Sequence, residues 1–130
     1  MILGLGTDII EIERFAQTLE RSGEAFLQHV FTAAEIAGAP TNSRQRCAYF
    51  AARWAAKEAL AKALGTGIGR ECGWRDIEIS RNPAGKPLLT LSGTAAATAA
   101  GLGIGRLHLS LSHERHYACA TVVAESSAEQ

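Results

Sequence analysis

Hydrophobic and polar positions divide this chain into segments of two periods. Ile2 to Ile10 is a short apolar run interrupted by Gly4 and Gly6 with Asp8 near its end, the pattern of a buried strand whose glycines admit another backbone or a ligand. Glu11 to about Arg21 forms a first helix, Phe26 to Val30 is apolar, and Thr32 with Glu35 reads as a capping box for a short helix. After the break Ala39-Pro40-Thr41, Asn42 or Ser43 caps a long helix that runs to Leu64 and stops at Gly65. At about 100° per residue, Arg46, Arg53 and Lys57 share one stripe of this helix, with Glu58 and Lys62 beside it. Ala52, Ala56, Ala59, Leu60 and Ala63 form the opposite face, which is expected to pack on a sheet and leave the charged face free. Phe50 and Trp54 read as packing residues.

The second half alternates with period two. Trp74 to Arg81 predicts a strand, Asn82-Pro83-Ala84-Gly85 a turn, and Lys86-Pro87 opens a strand reaching Leu91. Ser92 is expected to cap an alanine-rich helix to Gly101. Leu107, Leu109 and Leu111 alternate with polar residues, and a turn at His113-Glu114-Arg115 returns through Tyr117 to Val123 as a hairpin. Residues 125–130 read as a frayed tail. At 130 residues the chain is expected to form a single domain, residues 1–130.

Composition narrows the function. Thirteen basic and thirteen acidic residues cancel, which argues against broad nucleic-acid binding. No apolar run is long enough to span a bilayer, and the N-terminus lacks the basic segment of a signal peptide. Cys47, Cys72 and Cys119 are odd in number and widely spaced; they suit a reducing cytoplasm and offer neither a disulfide framework nor zinc-ligand spacing.

Charge is segregated locally. Between Glu35 and Glu71 the only carboxylate is Glu58, amid six cations: Arg44, Arg46, Arg53, Lys57, Lys62 and Arg70. One reading is a solvated helix with a Glu58–Lys62 pair at i, i+4. The other is a metal-bridged phosphate ester, with cations on the phosphates and the carboxylate on a divalent ion. The glycine-rich run Gly65 to Gly69 is not followed by the Lys-Ser or Lys-Thr of a P-loop.

Five motifs occur in order: Gly4-Leu5-Gly6-Thr7-Asp8-Ile9; Phe50 to Ala59 with Lys62 one turn later; Gly65 to Gly69; Gly85-Lys86-Pro87; and Ser110-Leu111-Ser112-His113. With them the chain, from Met1 to about Val123, resembles the small bacterial 4′-phosphopantetheinyl transferases of the holo-acyl-carrier-protein synthase type. The resemblance implies an α+β fold, a small antiparallel sheet packed on a long helix, and a homotrimer with active sites between subunits. It implies a magnesium-dependent transfer of 4′-phosphopantetheine from coenzyme A to a serine of an acyl carrier protein, in support of fatty acid biosynthesis. Adenosine 3′,5′-bisphosphate is the other product.

By the same resemblance Asp8 and Glu58 are metal ligands, and Asp8, Glu58 and Lys62 are catalytic. Magnesium takes hard oxygen ligands and keeps waters, so two carboxylates and a pyrophosphate suffice. Lys62 neutralises the transferring phosphoryl group; the base is Glu58 or a metal-bound water it polarises. Arg46 and Arg53 are candidates for the 3′-phosphate, Arg44 a weaker one, and Gly85, Lys86, Pro87 and His113 for the adenine side. Arg14 and Arg21 fall on one face of the first helix for docking the acidic carrier, although Glu11, Glu13, Glu20 and Glu24 make that helix less basic than the family pattern. The runner-up is a binding-only module of the same fold; the presence of Asp8, Glu58 and Lys62 together favours the enzyme.

Overall fold

In the computed structural model, which describes residues 1–127, the chain runs β1 (Ile2–Glu11), α1 (Ile12–Val30), α2 (Ala33–Ala37), α3 (Ser43–Leu64), a single 3₁₀ turn (Trp74–Asp76), β2 (Ile77–Arg81), β3 (Pro87–Leu91), α4 (Gly93–Gly101), β4 (Ile104–His113) and β5 (Tyr117–Ser126). β1, β5 and β4 form an antiparallel sheet in that order, and β2 and β3 form a separate hairpin. The α+β class with a small antiparallel sheet on a long helix is therefore what the residues build.

Local chemistry explains the boundaries of α3. Asn42 Oδ1 accepts from the Gln45 amide at 3.0 Å, which settles the choice between Asn42 and Ser43 as cap. Gly65 ends the helix in the left-handed region at φ 83°, a conformation that costs glycine little. α2 has the expected reciprocal box between Thr32 and Glu35.

The alanine face lies on the sheet as expected, and the reason is visible in β1. A Cβ on Gly6 would stand 1.9 Å from the Ala59 carbonyl oxygen, and one on Gly4 would stand 2.1 Å from that of Ala63. Only glycine lets the helix backbone settle this closely on the strand. Ala55, Ala56, Ala59, Leu60 and Val122 are fully buried between the layers. A second cluster, around Phe15, Leu27, Phe31 and Phe50, fills the space between α1 and the N-terminal half of α3.

Four expectations are corrected. The charged face of α3 is not free: Arg53 and Lys57 are buried, because α2, the 3₁₀ turn and β2 cover that side. The first helix does not end near Arg21; helical structure continues through Phe26 to Val30, across a break at Gly23 (φ 57°, ψ −138°). Ser92 makes no side-chain cap to α4. Asp76 does that work, accepting from the Thr94 amide at 3.0 Å and from its hydroxyl at 2.6 Å. These bonds hold the Asp76 carboxyl below its ordinary pKa, the Thr94 hydroxyl contributing most. Finally, β5 extends through Ser126, where the sequence read as a tail from residue 125. Glu125 pairs with His108 across the sheet at 2.7 Å, and residues 128–130 lie outside the described residues.

Candidate active site

The carboxylates singled out in the sequence converge. In β1, Gly4, Gly6 and Asp8 alternate toward α3, opposite Val122 and Ala120 of β5. Glu58 and Lys62 rise from α3 one turn apart. Lys62 Nζ donates to Asp8 Oδ1 at 3.0 Å and to the Thr7 carbonyl at 2.9 Å. The pair spans 54 residues of sequence, so the spacing of charges on α3 alone would have matched Lys62 to Glu58.

Burial raises the Glu58 pKa most, the Asp8 charge raises it further, and Lys62 offsets part of the rise. Asp8 Oδ2 is shielded from water and has no hydrogen-bond partner. A buried carboxylate oxygen without a donor, facing a second carboxylate that resists ionisation, is a poorly compensated arrangement on its own. A divalent cation between them would compensate both. Among the described residues no group of three or more His, Cys, Asp or Glu could hold a metal. Two oxygen donors fit magnesium, which keeps its waters, and do not fit a structural zinc site.

A second region lies away from this cluster. A cavity of about 1170 Å³ opens between β1, α1, the N-terminal half of α3 and the β4–β5 turn. Arg44, Arg53, Arg81, His113, Arg115 and His116 stand on its wall, with Glu11, Glu13 and Glu114. Asp8, Glu58 and Lys62 are not on it.

Of the residues assigned to coenzyme, Arg53 and His113 line this cavity, as does Arg44, the weaker candidate. Arg53 is almost wholly buried. Its guanidinium sits 3.7 Å above the Tyr49 ring, Nη1 donates to the Tyr49 carbonyl at 3.4 Å, and Nε is buried without a partner. Arg46 is not on the wall; its guanidinium lies over the Phe50 ring at 5.1 Å. Gly85 and Lys86 sit on the exposed β2–β3 turn and Pro87 opens β3, all three off the wall, with the Gly85 carbonyl accepting from Arg81 Nη1. Arg14 and Arg21 are exposed on α1.

Sequence reasoning missed Arg81 and His116 on the cavity wall, and it missed the partner of Lys57. That ammonium is buried against Glu35 at 2.8 Å. Burial lowers its pKa, and the Glu35 charge pulls it back up. Arg81 and His116 had no signal in a single sequence. Lys57 had a weak one, since a lysine beside a run of alanines is as compatible with burial as with solvent.

The model of the 4′-phosphopantetheinyl transferase superfamily matches residues 4–122. The chain belongs to that superfamily. It is 53% identical over 125 residues to the holo-[acyl-carrier-protein] synthase of Vibrio cholerae, covering 96% of this chain and 98% of the relative. It is also similar to the crystal structure of the Neisseria meningitidis holo-[acyl-carrier-protein] synthase, with a TM-score of 0.89, 37% identity, and coverage of 97% of this chain and 100% of that one. The Bacillus anthracis synthase, crystallised in complex with CoA (3′,5′-ADP), aligns with a TM-score of 0.80 and 38% identity over 98% of this chain and 99% of its own. The superfamily's sequence therefore spans both the carboxylate cluster and the cavity.

Proposed function

We propose that Asp8 and Glu58 hold a magnesium ion at the β1–α3 contact, where this chain performs its reaction. That reaction is the transfer of 4′-phosphopantetheine from coenzyme A to a serine of apo-acyl carrier protein, giving holo-acyl carrier protein and adenosine 3′,5′-bisphosphate. The observation that carries the metal reading is the unpartnered, buried Asp8 Oδ2 beside a Glu58 that burial and Asp8 together disfavour as an anion.

When bound, the ion held by Asp8 and Glu58 would supply the positive charge that stabilises the negative charge building on the leaving bisphosphate. The chain's own residues do the rest. Lys62, half-exposed and anchored on Asp8 and the Thr7 carbonyl, places one cation at the phosphoryl group. Glu58, directly or through a water it orients, takes the serine proton. The serine oxygen forms its bond to phosphorus as the bridging P–O bond to the bisphosphate breaks, so the electron pair leaves with adenosine 3′,5′-bisphosphate. Arg53, whose Nε has no partner, and His113 serve the coenzyme's nucleotide end. Arg14 and Arg21 meet the acidic carrier.

The active unit is a homotrimer in this reading, with each site built from two copies. Two observations support it. Asp8, Glu58 and Lys62 do not line the cavity that carries Arg53 and His113 of the same chain. The sheet face turned away from α3 carries Leu5 and Ile9 at 65% and 67% exposure, an apolar surface that further copies would cover. Among the described residues no helix is long and apolar enough to cross a membrane, and all three cysteines are free, in keeping with a cytoplasmic enzyme of fatty acid biosynthesis.

Incubation with apo-acyl carrier protein, coenzyme A and magnesium, read by intact mass, is expected to add one phosphopantetheine group to the carrier. The gain disappears with chelator or with Glu58→Gln. Persistence of the gain in both controls contradicts the metal reading. For the shared site, chains carrying Glu58→Gln and chains carrying His113→Ala are expected to regain activity when mixed, because a mixed trimer assembles one intact site; no recovery contradicts it.

A further inference from the structure

The Glu35–Lys57 pair lies outside the substrate-facing residues, yet Lys57 directly precedes Glu58 in the chain. Lys57 Nζ donates to the Val30 carbonyl at 2.8 Å, to Glu35 Oε1 at 2.8 Å and to the Trp74 carbonyl at 3.0 Å. These acceptors come from the last residue of α1, from α2 and from the 3₁₀ turn. All three donors of the ammonium are used. Glu35 is equally committed, with Oε1 accepting from Thr32 N at 2.9 Å and Oε2 from Ile79 N of β2 at 2.7 Å. Both side chains have no exposed surface, so neither can reach a phosphate.

We infer that Lys57, held by Glu35, is a positioning residue for the transfer reaction: it locks the turn of α3 that presents Glu58 and fixes that turn to the end of the carrier-docking helix α1. A helix held at Lys57 cannot rotate about its axis or slide without breaking bonds to three other elements. The direction of Glu58 toward Asp8 on β1 is set by that phase. The Val30 carbonyl belongs to the final turn of α1, beyond the break at Gly23, so the same ammonium holds the C-terminal piece of α1 against the metal-binding turn. Packing alone would be served as well by an apolar side chain of similar volume; three directional bonds add an orientation that such a side chain does not supply. This inference rests on Asp8 and Glu58 being the metal ligands.

The test uses Mn²⁺ as a paramagnetic probe, titrated into the full-length protein and read by electron paramagnetic resonance, alongside kcat and KM for coenzyme A. Two variants are compared. Glu35→Gln with Lys57→Met removes both charges together; Glu35→Asp keeps both charges and draws the anchor back by one methylene. Each is expected to bind Mn²⁺ about tenfold more weakly and to lose kcat while KM for coenzyme A holds. Parental Mn²⁺ affinity and kcat in the folded double variant and in Glu35→Asp would overturn the inference. Should the double variant not fold, Glu35→Asp decides alone. Glu58→Gln in the same titration separates the two readings: if it binds Mn²⁺ like the parent, the ligand assignment itself is wrong and the positioning role goes with it.

Discussion

Lys57 and Lys62 stand five residues apart on one helix, each beside a carboxylate, and the two pairs are built for opposite ends. Lys57 meets Glu35 with both side chains wholly buried and every donor matched to an acceptor. Lys62 meets Asp8 with its side chain half-exposed and one Asp8 oxygen left without a donor. The first pair is closed and joins α1, α2, α3, the 3₁₀ turn and β2. The second has polar capacity to spare, which is what a site for a metal and a phosphate requires. Identical chemistry becomes a closed or an open pair according to how completely its bonds are used.

The comparison breaks most readily at the buried pair. Lys57→Met leaves the Glu35 carboxylate buried without its counter-ion, and loss of about 3–5 kcal/mol of unfolding free energy is expected, measured by urea denaturation. A loss of a few tenths would mean the pair is not the closed unit described.

A smaller effect of opposite sign is expected on the open side. The folded protein holds the Glu58 pKa above the ordinary glutamate value of 4.5, so it binds the Glu58 proton more tightly than the unfolded chain does. That contribution to stability is fully present below about 4.5 and is lost as pH rises through the raised value. Above that window the metal-free protein carries an unfavourable charge that Glu58→Gln removes. Without metal at neutral pH the variant is therefore expected to melt slightly higher than the parent, with the difference vanishing on acidification. A lower melting temperature for the variant at neutral pH would show that Glu58 supports the fold instead of straining it.

Much of this division could be read from the chain, but not the part that distinguishes the lysines. Asn42, Gly65 and the Thr32–Glu35 box announce helix ends because capping is local chemistry between residues three or four apart. Gly4 and Gly6 announce a close approach because few other reasons put two glycines into an apolar strand. The motif resemblance groups Asp8 with Glu58 and Lys62, and the fold places Lys62 on Asp8. Periodicity placed Lys57 on a charged stripe but could not say that α2 and β2 cover it, since that depends on contacts between residues 22 apart and more. The cap of α4 was misassigned for the same reason: Asp76 reaches Thr94 across 18 residues, where Ser92 was the local choice. Arg46 and Arg53 looked equivalent on the helix, and only the fold sends one onto Phe50 and the other to the cavity wall.

The sharpest measurement is kcat and unfolding free energy together for Lys62→Met. Lys62 lies on the open pair, so its removal is expected to lower kcat about 100-fold while stability changes by no more than about 1 kcal/mol. An unchanged kcat, or a stability loss on the scale of Lys57→Met, would contradict the assignment of one lysine to the reaction and the other to the scaffold.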